Sequence, residues 1–306
     1  MQARQPQPVD AGRLLPCRFL RQAVPYAAHP QQQRRQKPHR PEQTATADPP
    51  PEPRERLLHR RAKVTHLPTK ITPRLLVVDL DNTLYHAEAG LFARMDANIN
   101  RFIRDRLGVP WETADAMRLR YWRRYGTTLT GLMRHHAVEP EPFLHAAHDL
   151  ELDDVVEAAP ELEAALARLP MRKVIHSNAT REHVERILER LGVRRHFQAI
   201  YDIRFHRYRP KPCRETLALL LQREGCPPPA ALVIDDSADN LLAARAIGCA
   251  TGWITRARRH GGFDLQAAEI TTLLRAIPVQ ETGLWRDQSP VRPPGRTETA
   301  QGEYTP

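Results

Sequence analysis

An apolar run, Leu75-Leu76-Val77-Val78, stops at two carboxylates, Asp79 and Asp81, with one leucine between them. Four consecutive apolar residues without polar alternation fit a strand covered on both faces, as in a parallel sheet between helices. Residues i and i+2 of a strand point the same way. Asp79 and Asp81 are therefore expected to project together from the carboxyl end, where open α/β sheets place their ligands. Like charges held so close repel unless a cation or a shared proton relieves them. The same residues also suit a capped turn, with Asn82 and Thr83 as turn formers.

The chain has 306 residues and a formal charge of +10. That charge is unevenly spread. Residues 1–74 hold 15 Lys and Arg against 5 Asp and Glu, and residues 75–306 hold 31 of each sign. The first segment also contains 13 of the 28 prolines, a Gln-Gln-Gln run and a Pro-Pro-Pro run. Such a composition buries too little apolar surface to offset its ordering entropy. Residues 1–73 are expected to be a disordered basic Pro/Gln-rich segment, and 279–306 a disordered tail. A basic arm could touch polyanions, but the neutral remainder does not suggest nucleic acid as a partner. No apolar run reaches membrane-spanning length. Leu14-Leu15-Pro16-Cys17 is too short for a signal core, and Pro16 is a poor cleavage-site residue. Cys17, Cys213, Cys226 and Cys249 show no ligand spacing. Reduced thiols and a cytoplasmic location are the expectation.

From residue 75 to about 275, strand-like and helix-like segments alternate. Strand candidates are 75–79, 173–176, 199–203, 232–235 and 250–254. Val184, Ile187, Leu188 and Leu191 recur at helical spacing before Gly192, as do Leu241, Ala244 and Ile247 before Gly248. This alternation implies a doubly wound parallel sheet, Rossmann-like in class. The interval between Leu84 and Pro160 has no convincing strand. Phe92, Met95, Ile99, Phe102, Ile103 and Leu107 mark one helical face, and Met117, Tyr121, Trp122 and Tyr125 a second helix ending at Gly126. Short helices are expected over 129–136 and 142–149. The reading is an all-helical cap inserted after the first strand, over 92–163, between core segments 74–91 and 164–278.

Three further polar clusters lie at predicted strand ends. Ser177-Asn178 follows Lys173–His176, where a hydroxyl and backbone N–H groups suit a phosphate oxygen or simply cap a helix. Lys211 stands between Pro210 and Pro212, which restrain its reach. Leu232-Val233-Ile234 runs into Asp235-Asp236-Ser237. Adjacent side chains of a regular strand face opposite ways, so in ideal geometry only one of Asp235 and Asp236 faces the site directly, unless the strand end twists.

Acid pair, hydroxyl, lysine, acid pair, each at a strand end, resembles the haloacid dehalogenase superfamily from about Arg74 to Ile277. The resemblance implies roles. Asp79 is the nucleophile, forming an aspartyl-phosphate. Asp81 is the acid/base that protonates the leaving oxygen and then activates water. Ser177 and Asn178 bind phosphate with Lys211, which also neutralises Asp79. Mg²⁺ is implied as cofactor, held by Asp79, the Asp81 carbonyl and Asp236, with Asp235 as a further candidate. The dehalogenating branch lacks the equivalent of Asp81, so its presence favours phosphoryl transfer. Asn240 stands where relatives often carry an acid, which leaves the outer metal shell open.

The segment Tyr121-Trp122-Arg123-Arg124-Tyr125-Gly126-Thr127-Thr128-Leu129, with His136, is similar to the cap of the pyrimidine 5′-nucleotidase group. That implies a pyrimidine nucleoside 5′-monophosphate as the small phosphorylated partner, with Tyr125, Thr127, Thr128 and His136 as substrate-facing cap residues. Gly126 could equally stop one helix and Thr127 or Thr128 start the next, and aromatics at helical spacing also suit a core. A sugar phosphate is the alternative substrate. Nucleic-acid binding through the basic arm is the alternative of another class. His135, His145 and His148 are expected on the cap surface, and His176 packed within its strand.

Overall fold

In the computed structural model, residues 72–86, 90–153, 155–257 and 262–279 are described. The expectations for residues 1–71 and 280–306 lie outside these. Six parallel strands form one sheet: β1 (Leu75–Val78), β2 (Arg172–His176), β3 (Ala199–Tyr201), β4 (Ala231–Asp235), β5 (Ala250–Ile254) and β6 (Leu265–Ala267), in the order β3-β2-β1-β4-β5-β6. The fold is α/β, with a doubly wound parallel sheet of Rossmann-like order.

The unbroken apolar run of β1 has a direct explanation. Its four side chains are 2, 0, 0 and 0% exposed. Leu76 and Val78 enter one hydrophobic layer with Leu166, Ile187 and Leu274, while Leu75 and Val77 enter the opposite layer with Leu217, Leu220 and Leu241. Helices cover both faces: α5 (Pro160–Ala167), α6 (Arg181–Arg190) and α9 (Ile270–Ala276) contribute to the first layer, and α7 (Arg214–Arg223) and α8 (Ala238–Ala246) to the second. Burying each such side chain contributes about 1.5–3 kcal/mol.

Four helices lie between β1 and α5: α1 (Leu91–Leu107), α2 (Trp111–Tyr125), α3 (Thr128–His136) and α4 (Pro140–Ala147). They share a separate apolar cluster of Ile103, Met117, Tyr121, Leu132, Phe143 and Leu144, among others, which Ile203 joins from the sheet side. The cap interior is sequence-coded: α1 ends at Gly108 and α2 at Gly126, both left-handed, and α4 begins at Pro140. Arg204 fastens cap to core, bonding Glu141 on α4 and Glu182 on α6.

Several elements differ from expectation. The strand predicted over 199–203 stops at Tyr201, because Asp202 turns its carboxylate back to the backbone N–H groups of Arg181 and Phe205. β6 was not expected; three residues are too few for a periodic signal. The last cap helix occupies 140–147 rather than 142–149, since Pro140 supplies a ready first turn. Residue 163 lies inside α5, whose Leu162, Ala165 and Leu166 belong to the sheet's hydrophobic layer. No helix among the described residues is long and apolar enough to cross a membrane.

Candidate active site

Asp79 follows directly on β1, its N–H bonded to the Ile234 carbonyl of β4 at 2.9 Å. Asp79 is placed at the end of a central strand and is 7% exposed, and each of its carboxylate oxygens accepts a hydrogen bond. Thr83 Oγ1 donates to Oδ2 at 2.9 Å, and Lys211 Nζ donates to Oδ1 at 2.5 Å. The same ammonium reaches the His176 carbonyl at 2.9 Å and Asp235 Oδ2 at 3.0 Å. Lys211 thereby ties together the ends of β1, β2 and β4. Its backbone N–H donates to the Asn178 side-chain oxygen at 2.8 Å. Asn178 therefore shapes the lysine loop from the end of β2. Ser177, 1% exposed, lies at the same strand end, and its hydroxyl accepts the Ala179 N–H at 3.0 Å.

Asp79, Asp235 and Asp236 can bring a carboxylate oxygen each within 4.8 Å of one another. The expectation that only one of the two adjacent aspartates would face the site fails here. β4 ends at Asp235, so strand alternation does not govern Asp236. The two differ in their partners. Asp235 is 1% exposed and held by Lys211, the Ser237 N–H and both contacts of the Asn240 amide. Asp236 is half-buried, and the Trp253 indole bonds its backbone carbonyl rather than its side chain. Burial, reinforced by the charge of Asp235, raises the Asp236 carboxyl to about 8. Burial raises Asp79 to about 7 against the pull of Lys211, with Asp235 and Asp81 adding to the rise. Three crowded carboxylates against one ammonium make an all-oxygen site with surplus negative charge, which suits Mg²⁺.

Asp81 sits in the turn that follows. Asn82 adopts a left-handed φ of 61°, a conformation asparagine tolerates, and the turn returns Tyr85 beside Asp81. Tyr85 donates to Asp81 Oδ1 at 2.5 Å. His183 Nε2 lies 3.5 Å from the same oxygen. Burial would raise the Asp81 carboxyl, but the contacts with His183 and Tyr85 outweigh it and hold the group below its ordinary range.

The predicted cap residues have internal uses. Tyr125 is 8% exposed and bonds His135 through its hydroxyl at 2.6 Å. Thr127 caps α3, accepting the Thr130 N–H. Thr128 is buried and donates to the Arg118 carbonyl at 3.1 Å. His136 is exposed, and its Nε2 bonds the Tyr121 hydroxyl at 2.7 Å. What reaches the core is the backbone of Gly126. At φ +84°, a Cβ there would stand 3.3 Å from the Lys211 carbonyl. Of the histidines, His148 is not on the cap surface. Its ring centroid is 4.8 Å from that of His183. His176 packs against His206 at 4.7 Å, as expected of an interior residue. Sequence reasoning took Thr83 only as a turn former and Asn240 only as a gap in the outer metal shell, and it missed Tyr85 and His183. Thr83 and Tyr85 could have been found from their spacing to Asp79 and Asp81. His183 could not, being 102 residues from its partner.

Residues 73–248 match the family of haloacid dehalogenase-like hydrolases. The chain belongs to that family. Among solved structures, it is similar to L-2-haloacid dehalogenase from Xanthobacter autotrophicus (15% identity, 67% of this chain and 98% of that chain, TM-score 0.44). It is also similar to a HAD phosphatase from Thermococcus onnurineus (16%, 67% and 97%, TM-score 0.48). A third is CbbY from Rhodobacter sphaeroides in complex with phosphate (20%, 65% and 96%, TM-score 0.49). The haloacid dehalogenase-like assignment makes this chain a hydrolase and accounts for the acidic cluster at the sheet's carboxyl edge.

Proposed function

We propose that this protein is a Mg²⁺-dependent phosphatase that hydrolyses pyrimidine nucleoside 5′-monophosphates through an aspartyl-phosphate. The observation that carries the phosphatase reading is Asp81. It stands two residues beyond Asp79, with Oδ1 engaged by Tyr85 and, among the described residues, no hydrogen bond to Oδ2. Asp79 attacks phosphorus; Asp81 gives its proton to the departing ester oxygen. Asp81 then takes a proton from water, whose oxygen attacks the acyl-phosphate and restores Asp79 as inorganic phosphate leaves. Lys211 holds Asp79 in place and compensates its charge. Ser177 is offered to a phosphate oxygen, beside Asn178. Asp79, Asp236 and the Asp81 carbonyl would hold Mg²⁺, with Asp235 bracing them. Bound there, the ion supplies charge neutralisation between nucleophile and phosphate.

The pyrimidine nucleotide rests on the cap resemblance and on Gly126 lying against Lys211. In this reading the 126–128 turn, with Tyr125 and His136 supporting it, selects the leaving group. A second substrate class, another small phosphate monoester such as a sugar phosphate, is favoured by one observation. Tyr121 and Tyr125 are buried against histidines, which removes both from stacking on a base. A cytoplasmic setting is supported by Cys213, Cys226 and Cys249, which form no disulfide among the described residues. The test is phosphate release from a panel of UMP, CMP, AMP, sugar phosphates and para-nitrophenyl phosphate, with Asp79→Asn as the control. Preference for UMP or CMP supports the full reading, and preference for sugar phosphates supports the second. Turnover by Asp79→Asn at the wild-type rate would sink the nucleophile and the mechanism with it.

A further inference from the structure

Asp81 is bracketed on one oxygen only. Tyr85 Oη at 2.5 Å and His183 Nε2 at 3.5 Å both approach Oδ1. With Oδ1 accepting from these donors, which favour the ionised form, the proton that Asp81 takes up in the reaction belongs on Oδ2, the oxygen that no described hydrogen bond reaches. His183 has a 0% exposed side chain, and its Nδ1 has no hydrogen-bond partner among the described residues. A buried nitrogen left unsatisfied is destabilising, and an apolar side chain would avoid that cost. The ring is better explained by what its other nitrogen does.

His183 is also where the cap meets this network. His148 closes α4, its Nδ1 donating to the Leu144 carbonyl at 2.9 Å, and its ring packs on His183 at 4.8 Å and 43°. Burial, then the neighbouring His183, lowers His148 to about 4. His148 is therefore neutral near pH 7, and the two rings can pack without repulsion.

We propose that His183 is a positioning residue for the general acid Asp81, and that His148, packed against it, makes the setting of that acid depend on the seating of the cap. This rests on the phosphatase reading above. A positioned acid matters in proportion to how badly the leaving group needs a proton. Nitrophenolate departs without one, and a ribose or glycerol alkoxide does not.

The experiment compares kcat/KM for para-nitrophenyl phosphate and for an alkyl phosphate, UMP or glycerol phosphate, in the full chain. The variants are His183→Ala, His183→Gln, Tyr85→Phe and His148→Leu. His183→Ala is expected to lose about 30-fold or more on the alkyl ester, within the range general acid catalysis contributes. On the nitrophenyl ester it should lose less than about 3-fold. His183→Gln, which keeps a donor near the Nε2 position, should recover most of the loss. His148→Leu should shift the ratio in the same direction by a smaller factor. Equal losses on both esters in His183→Ala, no recovery in His183→Gln, or an unchanged ratio in both Tyr85→Phe and His148→Leu would overturn the proposal. If His183→Ala fails to fold, Tyr85→Phe and His148→Leu decide. A wild-type protein that hydrolyses neither ester would remove the phosphatase reading itself, an outcome distinct from a working enzyme indifferent to His183.

Discussion

Asn240 donates its side-chain amide to both carboxylate oxygens of Asp235, at 2.9 and 3.0 Å. A carboxylate at position 240 could not do this. It would set a fourth negative charge against Asp79, Asp235 and Asp236. Asparagine at this position thus has a use: it braces Asp235 so that Lys211 can bridge it to Asp79. Asn240→Asp is expected to lower the melting temperature and activity at low Mg²⁺, with the deficit narrowing as Mg²⁺ is raised. Asn240→Ala should cost about 1–3 kcal/mol regardless of Mg²⁺, as a lost buried hydrogen-bond donor. Thermal melts across a Mg²⁺ titration separate the two.

Asp235 and Asp236 should respond differently to removal of charge. Asp235 is enclosed by Lys211, Ser237 and Asn240, so Asp235→Asn should chiefly reduce stability. Asp236 lacks those braces and offers its carboxylate to the cluster, so Asp236→Asn should chiefly raise the Mg²⁺ concentration giving half-maximal activity, by tenfold or more on the order of one lost charged ligand. The reverse pattern in paired melting and Mg²⁺-activation curves would exchange their roles.

Without metal, Asp79 and Asp236 should make the protein less stable as pH rises from about 4, the unfolded carboxyl range, to about 8, where the loss levels off. Asp79 and Asp236 are raised to about 7 and about 8, well above their unfolded values. In that window the native state binds more protons than the unfolded state, so stability falls with pH until both groups have ionised. Below about pH 6.5 the buried histidines His148, His176 and His206, all lowered by burial, act in the opposite sense. Melting temperature in chelator should therefore peak near neutrality and decline by a few degrees toward pH 8.5. Added Mg²⁺ should raise it most at the alkaline end. A flat alkaline profile in chelator would count against the crowded acidic cluster.

Gly126 joins cap to catalytic loop through a backbone contact. Gly126→Ala places a side chain at φ +84° and 3.3 Å from the Lys211 carbonyl. The left-handed conformation alone costs about 1–2 kcal/mol for alanine. The carbonyl must also give way. Activity is expected to fall several-fold or more on every substrate, since Lys211 holds Asp79. By contrast Thr128→Ser, which keeps the bond to the Arg118 carbonyl, should leave kcat/KM near wild type. Parallel kinetics and melts check both.

The first strand, its flanking layers and the positions of Asp79, Lys211 and Asp235 were legible from residue order, because apolar runs and strand-end polar clusters are local signals. The helical cap was legible for the same reason: Gly108, Gly126 and Pro140 mark its turns in the chain itself. What the local pattern could not contain is distance across the fold. Strand alternation misjudged Asp235 and Asp236 because β4 ends between them. Residue order left Tyr125 and the Gly-Thr-Thr turn open between substrate contact and a role in the core or at helix ends. In three dimensions Gly131 admits the Tyr121 ring, where a Cβ would stand 2.2 Å from its Cγ, and the threonines cap and pack α3. His183 and Asp81 are 102 residues apart, and His148 joins them from another element. Residue order alone determined which chemistry the strand ends could carry. Packing of helix against sheet decided which side chains support that chemistry, because burial and hydrogen-bond partners arise only when distant segments share one interior.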